Sequence, residues 1–372
     1  MNIAFVIPKL AFKGGAEIYM IKVAKLLSQK HDVKIYTMNY DSKVFPEVKG
    51  LVKDVGMPNL LKSTQGSKAS TIVNIHSMKY FNKRISKDHD LYNTHLFPSN
   101  FLRLPNNIWT CHEPPRMLYD LYKETLDELT FTQRQIARVY FKFLKTWDQS
   151  KTRKNVDFII ANSKHSKQYV KRIYDKDSEV IYPGIDESLL KVKKKTDENL
   201  LLSVGRFFPA KRIELVIKAF AEIVKEKPRT KLVLIGTGPE EQNLKILVKN
   251  LGLNVLFKGE VSERQLYDYY ARAKLTIYTP IREMFGMVPL ESTATGTPVV
   301  GVKGGYTEVL KQGVKIVKPN IKSLSGAILR LLNDKKQYNK LSRQGKKIVK
   351  QHTWSKVALK TETLFKSFKK TS

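Results

Sequence analysis

Short apolar runs and stretches with helical spacing alternate from the start of the chain. An apolar run at 2–7 is followed by Gly14-Gly15 and then by apolar residues three and four apart as far as Leu27, and a second run lies at 31–37. Such runs are typical of buried parallel strands, and the 3.6-residue period is typical of a helix packed on a sheet. The N-terminus therefore predicts a βαβ unit with its first loop at the carboxyl end of the sheet.

The same alternation continues through both halves of the chain. The first half is predicted to contain a helix at 70–86, strands at 90–95, 107–111, 157–161 and 180–185, and a helix-rich stretch at 118–155. The second half is predicted to contain strands at 199–205, 231–235, 254–258, 274–278 and 298–302 and helices at 213–227, 240–251, 262–273 and 286–295.

A polar, lysine-rich stretch at 191–198 separates the two halves. Because βα alternation restarts after it, we predict an α/β protein with a Rossmann-like parallel-sheet domain at 1–185 and a second at 186–350. The remaining segment, 351–372, is predicted to be a terminal helix that packs back on the N-terminal domain.

The basic composition favours negatively charged partners but does not say which kind. The 372 residues include 67 Lys+Arg and 34 Asp+Glu, a net charge of +33, which would attract phosphate-bearing ligands, nucleic acid or an anionic lipid surface. Cys111 is the only cysteine, which excludes an internal disulfide and a cysteine-rich metal site. No signal peptide and no apolar run of membrane-spanning length is visible, so we expect a cytoplasmic protein.

Two cations follow the first strand of the second half. Arg206 comes directly after the predicted strand 199–205, and Lys211 lies at the entry of the next helix. Both can reach one point beside a helix N-terminus, where backbone amides also favour negative charge. The arrangement suits a diphosphate, and the alternative is a pair of solvated basic residues. The glycine turn 236–239 lacks the full dinucleotide fingerprint and a partner acid, which argues against a nicotinamide site.

The strongest chemical signal is a pair of carboxylates eight positions apart. Glu283 lies in the loop after a strand, Phe285-Gly286 is predicted to begin the helix, and Glu291 is predicted to project from about its second turn. Each carboxylate can accept hydrogen bonds from vicinal hydroxyls, one from a ribose and one from a hexose. The alternative is a capped helix with Glu291 in a salt bridge.

Two histidines end strands of the first half. His112 is followed by the rigid segment Glu113-Pro114-Pro115, and His95 is similarly placed but is the weaker candidate. A single histidine is usually structural, but the carboxyl edge of a parallel sheet is where ligands bind. In the same half, Gly15 offers a backbone amide to an anion at a helix start.

Taken together, these motifs resemble the retaining glycosyltransferases of the GT4 type, the group 1 glycosyl transferases, over nearly the whole chain. The resemblance rests on Gly14-Gly15-Ala16-Glu17, Asn162-Ser163, 181–186, Val204-Gly205-Arg206 with Lys211, the Glu-x7-Glu segment 281–300 and Trp354-Ser355-Lys356. It implies the GT-B fold, in which two Rossmann-like domains face a central cleft and the terminal helix crosses back to the first.

The resemblance also implies a role for each candidate residue. Glu291 would bind the ribose and Arg206 and Lys211 the diphosphate of a nucleotide sugar. Glu283, with the amides of Phe285 and Gly286, would orient the transferred sugar. His112 would lie over that sugar, and Gly15 would approach the phosphates or the acceptor.

The expected reaction moves a hexose, with GDP-mannose preferred as donor, to a hydroxyl of a glycan or lipid-linked acceptor. It is expected to proceed with retention and without a cofactor or metal, because cations and helix N-termini would meet the charge of the leaving diphosphate.

Several alternatives stay open at this point. They are a UDP-hexose donor, an epimerase or phosphorylase-like activity on the same fold, and a nucleic-acid-binding protein, although no nucleic-acid motif is present and no nucleic acid is expected as a partner. Basic segments at 79–84 and 134–154 and at Lys369-Lys370 also suit peripheral contact with an anionic membrane. For the long helix within 118–155, an apolar stripe packed against the protein is favoured over a membrane-binding helix.

Overall fold

The computed structural model describes residues 1–57 and 70–371 and divides into two compact units. The first comprises Met1–Tyr182 and Ser355–Ser372, and the second comprises Pro183–Trp354. The sequence placed these limits at 185 and 350. In the described part of the chain, no helix is long and apolar enough to cross a membrane.

The first unit is built on a seven-stranded sheet with every neighbouring pair parallel, in the order β3-β2-β1-β4-β5-β6-β7. Its central strands are buried, as their apolar runs predict. Its strands are β1 (Asn2–Val6), β2 (Asp32–Thr37), β3 (Val52–Asp54), β4 (Leu91–His95), β5 (Asn107–Cys111), β6 (Phe158–Ala161) and β7 (Glu179–Val180). Its helices up to this point are α1 (Gly15–Leu27), α2 (Ser70–Arg84), α3 (Tyr122–Asp127), α4 (Phe131–Asn155) and α5 (Lys164–Tyr174).

Two sequence predictions for this unit are corrected. The last strand does not reach residue 185 but ends at Val180, because Pro183 has no amide to donate to a ladder. The long helix α4 does not pack its apolar stripe along its whole length. Its buried residues begin at Leu144, and Phe143 is 80% exposed. Strand β3 was not predicted.

The second unit has a six-stranded sheet, again parallel throughout, in the order β10-β9-β8-β11-β12-β13. Its strands are β8 (Leu200–Val204), β9 (Lys231–Ile235), β10 (Val255–Phe257), β11 (Leu275–Tyr278), β12 (Val299–Gly301) and β13 (Val314–Ile316). Its helices are α6 (Glu187–Leu190), α7 (Ile213–Glu226), α8 (Glu241–Asn250), α9 (Glu263–Arg272), α10 (Val288–Ala294), α11 (Tyr306–Leu310), α12 (Ile321–Asn333) and α13 (Lys335–Val349).

Helix α10 begins later than predicted. Gly286 has a φ of +91°, which is outside the helical region, so the helix starts only at Val288, with Pro289 in its first turn. Strand β13 and helices α11 to α13 were not assigned from the sequence.

The terminal helix α14 (Trp354–Thr371) belongs to the first unit from Ser355 onward. The ring of Phe365 lies 6.4 Å from that of Phe5 in β1, and the Glu362 carboxylate lies 3.1 Å from Nε2 of His31. The helix therefore completes the packing of the first sheet, and the predicted fold class of two parallel-sheet α/β domains is confirmed.

Candidate functional site

The candidate residues of the second unit lie in two loops that follow neighbouring strands. Strands β8 and β11 pair in register at Leu201 and Leu275, so the loops after them leave the same edge of the sheet. The Arg212 guanidinium joins these loops, because its Nε donates to the carbonyl of Thr279 at 2.7 Å and its Nη2 to that of Pro280 at 2.9 Å. Arg212 is a structural residue that the sequence did not reveal.

Lys211 and Glu283, one from each loop, form an ion pair. Lys211 Nζ lies 2.6 Å from Glu283 Oε2, and the two side chains are 23% and 12% exposed. The sequence assigned them to different parts of a ligand, diphosphate and sugar, and the structure brings them into direct contact. Each charge is therefore already balanced by the other, in a position that a ligand can still reach.

Glu291 lies in the first turn of α10, not in the second turn as predicted. One of its oxygens, Oε2, accepts a hydrogen bond of 2.8 Å from the hydroxyl of Tyr270, which is fully buried in α9. Burial, followed by the Glu291 charge, raises the pKa of Tyr270 well above its usual value, so the hydroxyl stays a donor. Burial and Glu283 raise the pKa of Tyr278 in the same way.

Both tyrosines were missed by the sequence analysis. Tyr278 is the last residue of β11, a position from which a polar side chain can reach a site. Tyr270 lies inside a helix, where an aromatic residue predicts only packing.

Backbone contacts hold the segment between the two glutamates in one conformation. The amide of Gly305 donates to the Glu283 carbonyl at 3.0 Å, and that of Tyr306 donates to the Phe285 carbonyl at 2.8 Å. A Cβ on Gly286 would lie 2.8 Å from the Tyr278 hydroxyl oxygen. Together with its positive φ, this close approach explains why glycine stands there.

Arg206 stands apart from the ion pair. It is exposed, and its guanidinium lies 5.3 Å from the centre of the Phe208 ring. In the adjoining glycine turn, a Cβ on Gly236 would overlap the carbonyl of Gly205. That glycine therefore lets the loops after β8 and β9 pack against each other.

In the first unit, Gly15 is the first residue of α1 and is exposed. The residue before it, Gly14, is the helix N-cap, and a Cβ there would overlap the carboxylate of the buried Glu17. A carboxylate of the chain itself therefore lies at this helix N-terminus, next to the amide that the sequence assigned to an anion.

His112 and His95 are in direct contact. His95 is the last residue of β4, His112 directly follows β5, and these two strands are paired. Nε2 of His112 lies 3.0 Å from Nδ1 of His95, and Nε2 of His95 lies 2.7 Å from Oδ1 of Asn93. Burial lowers the pKa of His112 to about 3 and, with the neighbouring imidazole, holds that of His95 well below its usual value. Both rings are therefore neutral near pH 7.

The hydrogen-bond network fixes which nitrogens of the pair carry protons. The Asn93 amide nitrogen donates to Thr110 Oγ1 at 2.9 Å, so Oδ1 of Asn93 is the acceptor for His95. His95 then accepts at Nδ1 from Nε2–H of His112. This tautomer leaves Nδ1 of His112 as a hydrogen-bond acceptor.

A metal-binding cluster was not expected from the sequence. Within residues 1–57 and 70–371, no three His, Cys, Asp or Glu side chains are grouped so that they could hold a metal ion.

Comparisons with known proteins identify the family. Residues 13–189 match the Glycosyltransferase Family 4 model and residues 185–348 match the Glycosyl transferases group 1 model. An uncharacterized glycosyltransferase of Methanocaldococcus jannaschii is 32% identical over 46% of this chain and 45% of the relative. The chain matches the first curated relatives over about half of their length.

Two further similarities extend over more of the chain. The alpha-1,3/1,6-mannosyltransferase ALG2 of Candida glabrata is 28% identical over 82% of this chain and 76% of the relative. The crystal structure of Anabaena HepE in complex with UDP-glucose aligns with a TM-score of 0.74 at 18% identity, covering 98% of this chain and 99% of that one. The chain therefore belongs to the group 1, GT4-type glycosyltransferases and has their GT-B fold.

Proposed function

We propose that this chain transfers a hexose from a nucleotide-diphosphate sugar to a hydroxyl of a glycan or lipid-linked acceptor, with retention and without a metal. GDP-mannose is the preferred donor in this proposal. The Candida glabrata relative, a mannosyltransferase, supports mannose. The fold of Anabaena HepE, determined with UDP-glucose, supports a UDP-hexose as the second candidate.

The Lys211–Glu283 ion pair is the observation that carries the proposal. A diphosphate brings two or more negative charges, so it would compete with Glu283 for the Lys211 ammonium. Glu283, released from the lysine, would then accept hydrogen bonds from hydroxyls of the sugar. Donor binding would thus exchange one ion pair for two interactions with the two ends of the donor. Arg206, exposed on the preceding loop, would add a second cation to the diphosphate.

Glu291 is proposed to bind the ribose. Because Tyr270 holds one carboxylate oxygen, the side chain has a fixed orientation and can accept hydrogen bonds from vicinal hydroxyls. The amides of Phe285 and Gly286 would add donors to the sugar oxygens from a segment that the Gly305 and Tyr306 amides already hold in place.

In the chemical step, the bond from the anomeric carbon to the diphosphate oxygen breaks as the acceptor oxygen bonds to that carbon on the same face. The acceptor proton passes to the departing phosphate. Lys211 and Arg206 would stabilise the charge that grows on the diphosphate. His112 would accept a hydrogen bond from a sugar hydroxyl through Nδ1, and Gly15 would offer its amide to a phosphate or to the acceptor.

The test is thermal stabilisation of the purified chain by a panel of GDP-, UDP-, ADP- and dTDP-sugars in the presence of EDTA. A ligand at a hundred times its dissociation constant adds about 2.7 kcal/mol to the free energy of unfolding. We expect GDP-mannose to raise the melting temperature of the wild type and of Glu222→Gln, a control on α7 whose side chain is 45% exposed, but not that of Glu291→Gln.

Each other outcome changes the proposal in a defined way. Stabilisation by UDP-sugars alone replaces the donor, and stabilisation only without EDTA contradicts metal independence. If no nucleotide sugar acts while duplex DNA does, the transferase proposal is wrong. Proton NMR of the first-formed product reports the anomeric configuration and tests retention.

A further inference from the structure

Helix α4 exposes a row of large apolar side chains to solvent. Ile136, Val139 and Phe143 are 71%, 69% and 80% exposed, and Trp147, one turn further, is 37% exposed. Their spacing of three and four residues puts them on one side of the helix, which we call the α4 apolar face. Exposed apolar residues are ordinary when scattered, but a continuous row marks an interaction surface.

The N-terminal half of α4 leaves this face exposed, because its contribution to the protein core is limited to the partly buried Tyr140 and Phe141. Every buried residue of the helix lies at or after Leu144. The helix start is defined by a capping box between Thr130 and Gln133, so this half is a regular helix although no residue in the described part of the chain buries its outer side.

Buried polar contacts fix the other half of α4. The Asp148 carboxylate accepts hydrogen bonds from Asn100 Nδ2 at 2.8 Å and from the hydroxyls of Tyr119 and Tyr174 at 2.7 and 2.8 Å. Burial raises the pKa of Asp148 to about 6. The C-terminal half is thus anchored to the first unit, and the anchored helix presents its apolar face outward.

The charges of α4 determine what kind of partner fits. From Phe131 to Trp147 the helix carries Arg134, Arg138, Lys142 and Lys145 and no acidic residue. These cations lie one or two positions from members of the apolar face, on the other side of the helix, so a second copy packed on the apolar face would leave them in solvent. Nucleic acid would use the cations and leave the apolar side chains in water. An anionic bilayer accommodates both, because acyl chains take up the apolar side chains and lipid phosphates pair with the cations.

We propose that α4 is a membrane-docking helix that lies in the surface of a bilayer containing anionic phospholipid. The apolar face enters the boundary between headgroups and acyl chains, while Arg138 and Lys142, both exposed, contact the headgroups. At 1.5 Å per residue, the stretch from Phe131 to Trp147 provides about 25 Å of helix for this contact. The inference does not depend on the donor or on the reaction, although it brings the chain to the place where a lipid-linked acceptor would be.

Tryptophan fluorescence provides a direct measurement on the unaltered chain. Of the three tryptophans, Trp109 and Trp354 are buried, so Trp147 is the one whose surroundings a membrane can change. We expect a blue shift of emission on adding vesicles of phosphatidylcholine with about a third phosphatidylglycerol, and none with phosphatidylcholine alone. Absence of a shift with both compositions overturns the proposal.

Matched variants test the two components separately by vesicle co-sedimentation. Ile136→Ser with Phe143→Ser removes apolar contacts, and its control places serines at Ile246 and Leu359, which are also exposed. Arg138→Gln with Lys142→Gln removes charge, and its control is Lys336→Gln with Lys340→Gln, which are exposed at the same spacing. We expect each α4 pair to weaken binding at 0.1 M salt by about tenfold or more, and each control by less than about threefold.

The outcomes separate this inference from the proposed function. Retained stabilisation by a nucleotide sugar shows that each variant is folded and binds the donor, whatever its affinity for vesicles. Equal binding by the α4 pairs and their controls overturns the proposal. So does a dimer, detected by light scattering, that the Ile136→Ser/Phe143→Ser variant dissociates while the wild type ignores anionic vesicles.

Discussion

The side chains at the carboxyl edges of the two parallel sheets differ in charge, and we call the edge of the first unit the neutral edge and that of the second unit the charged edge. In the first unit, His112 and His95 form a buried, neutral chain of hydrogen bonds that ends on Asn93. In the second unit, Lys211 and Glu283 form a charged pair that solvent still reaches. The same strand–loop–helix geometry thus provides a fixed acceptor at one edge and exchangeable charges at the other. Neutral groups suit the orientation of hydroxyls, whereas an exchangeable ion pair suits an anion that arrives and leaves.

Removing the cation of the charged edge should have the largest effect. Lys211→Met leaves Glu283 without its partner and the diphosphate without a cation, so we expect kcat/KM for transfer to fall about 100- to 1,000-fold. The control is Lys218→Met on α7, whose partner Glu214 lies one turn away on the surface, and it should stay within about twofold of wild type. A loss of less than about threefold for Lys211→Met would show that the charged edge does not stabilise the leaving group.

Substitutions at the neutral edge should lower activity less than Lys211→Met does, and they should lower kcat rather than donor affinity. We expect His112→Leu to lower kcat about 100-fold. His95→Leu should lower it about tenfold with the donor KM nearly unchanged, because His95 only fixes the tautomer of His112. His89→Gln is the control, since His89 is hydrogen-bonded to Tyr36 and follows no strand end. If His95→Leu lowers stability but leaves kcat at the wild-type value, the histidine chain has a structural role alone.

The buried histidines of the neutral edge should also make the free energy of unfolding depend on pH. The folded pKa of His112 is about 3 and that of His95 is also depressed, while unfolded histidine titrates near 6.5. The unfolded chain therefore binds more protons below pH 6.5. The stability due to the neutral pair is complete above pH 6.5 and is lost as the pH falls toward 3, by up to about 1.4 kcal/mol per pH unit for each ring.

Urea unfolding at pH 7.5 and pH 5 measures this loss. We expect the difference in free energy between the two pH values to be smaller in the His95→Leu/His112→Leu variant than in wild type. Asp148, whose raised pKa of about 6 acts in the opposite direction, is common to both proteins and cancels in the comparison. An identical pH dependence in the two proteins would contradict neutral, buried imidazoles.

The residues of the charged edge could largely be predicted from the sequence, because the strands of a βα repeat can be assigned from its pattern of apolar runs and helices. Once β8 and β11 are assigned, residues that follow them, such as Lys211 and Glu283, fall at one edge of the sheet whatever the packing details. The ion pair itself was not predictable, since it depends on how Arg212 joins the two loops through backbone carbonyls. Helical periodicity gave no sign of the contact between Tyr270 and Glu291.

The long helix α4 shows a second limit of sequence analysis. Its periodicity correctly predicted a helix with an apolar stripe, but periodicity identifies a face and not what covers it. Only the placement of Leu144 and Asp148 in the core shows which side of the helix is inside. Phe143 is consequently outside, although its neighbours in the sequence made a packed stripe the favoured interpretation.

The smallest predicted effect is a loss of donor affinity when Glu291 Oε2 loses its hydrogen bond from Tyr270. Tyr270→Phe removes one hydroxyl donor from the carboxylate and leaves its charge and its second oxygen in place. A net hydrogen bond contributes about 0.5–1.5 kcal/mol, so donor affinity should fall about two- to tenfold, with kcat at saturating donor unchanged. Tyr338→Phe, a tyrosine buried elsewhere in the same unit, is the control. Calorimetric titration with the nucleotide sugar measures the donor affinity, and the transfer rate at saturating donor measures kcat. A fall in kcat without a change in affinity would mean that Tyr270 acts on the transferred sugar instead of the ribose.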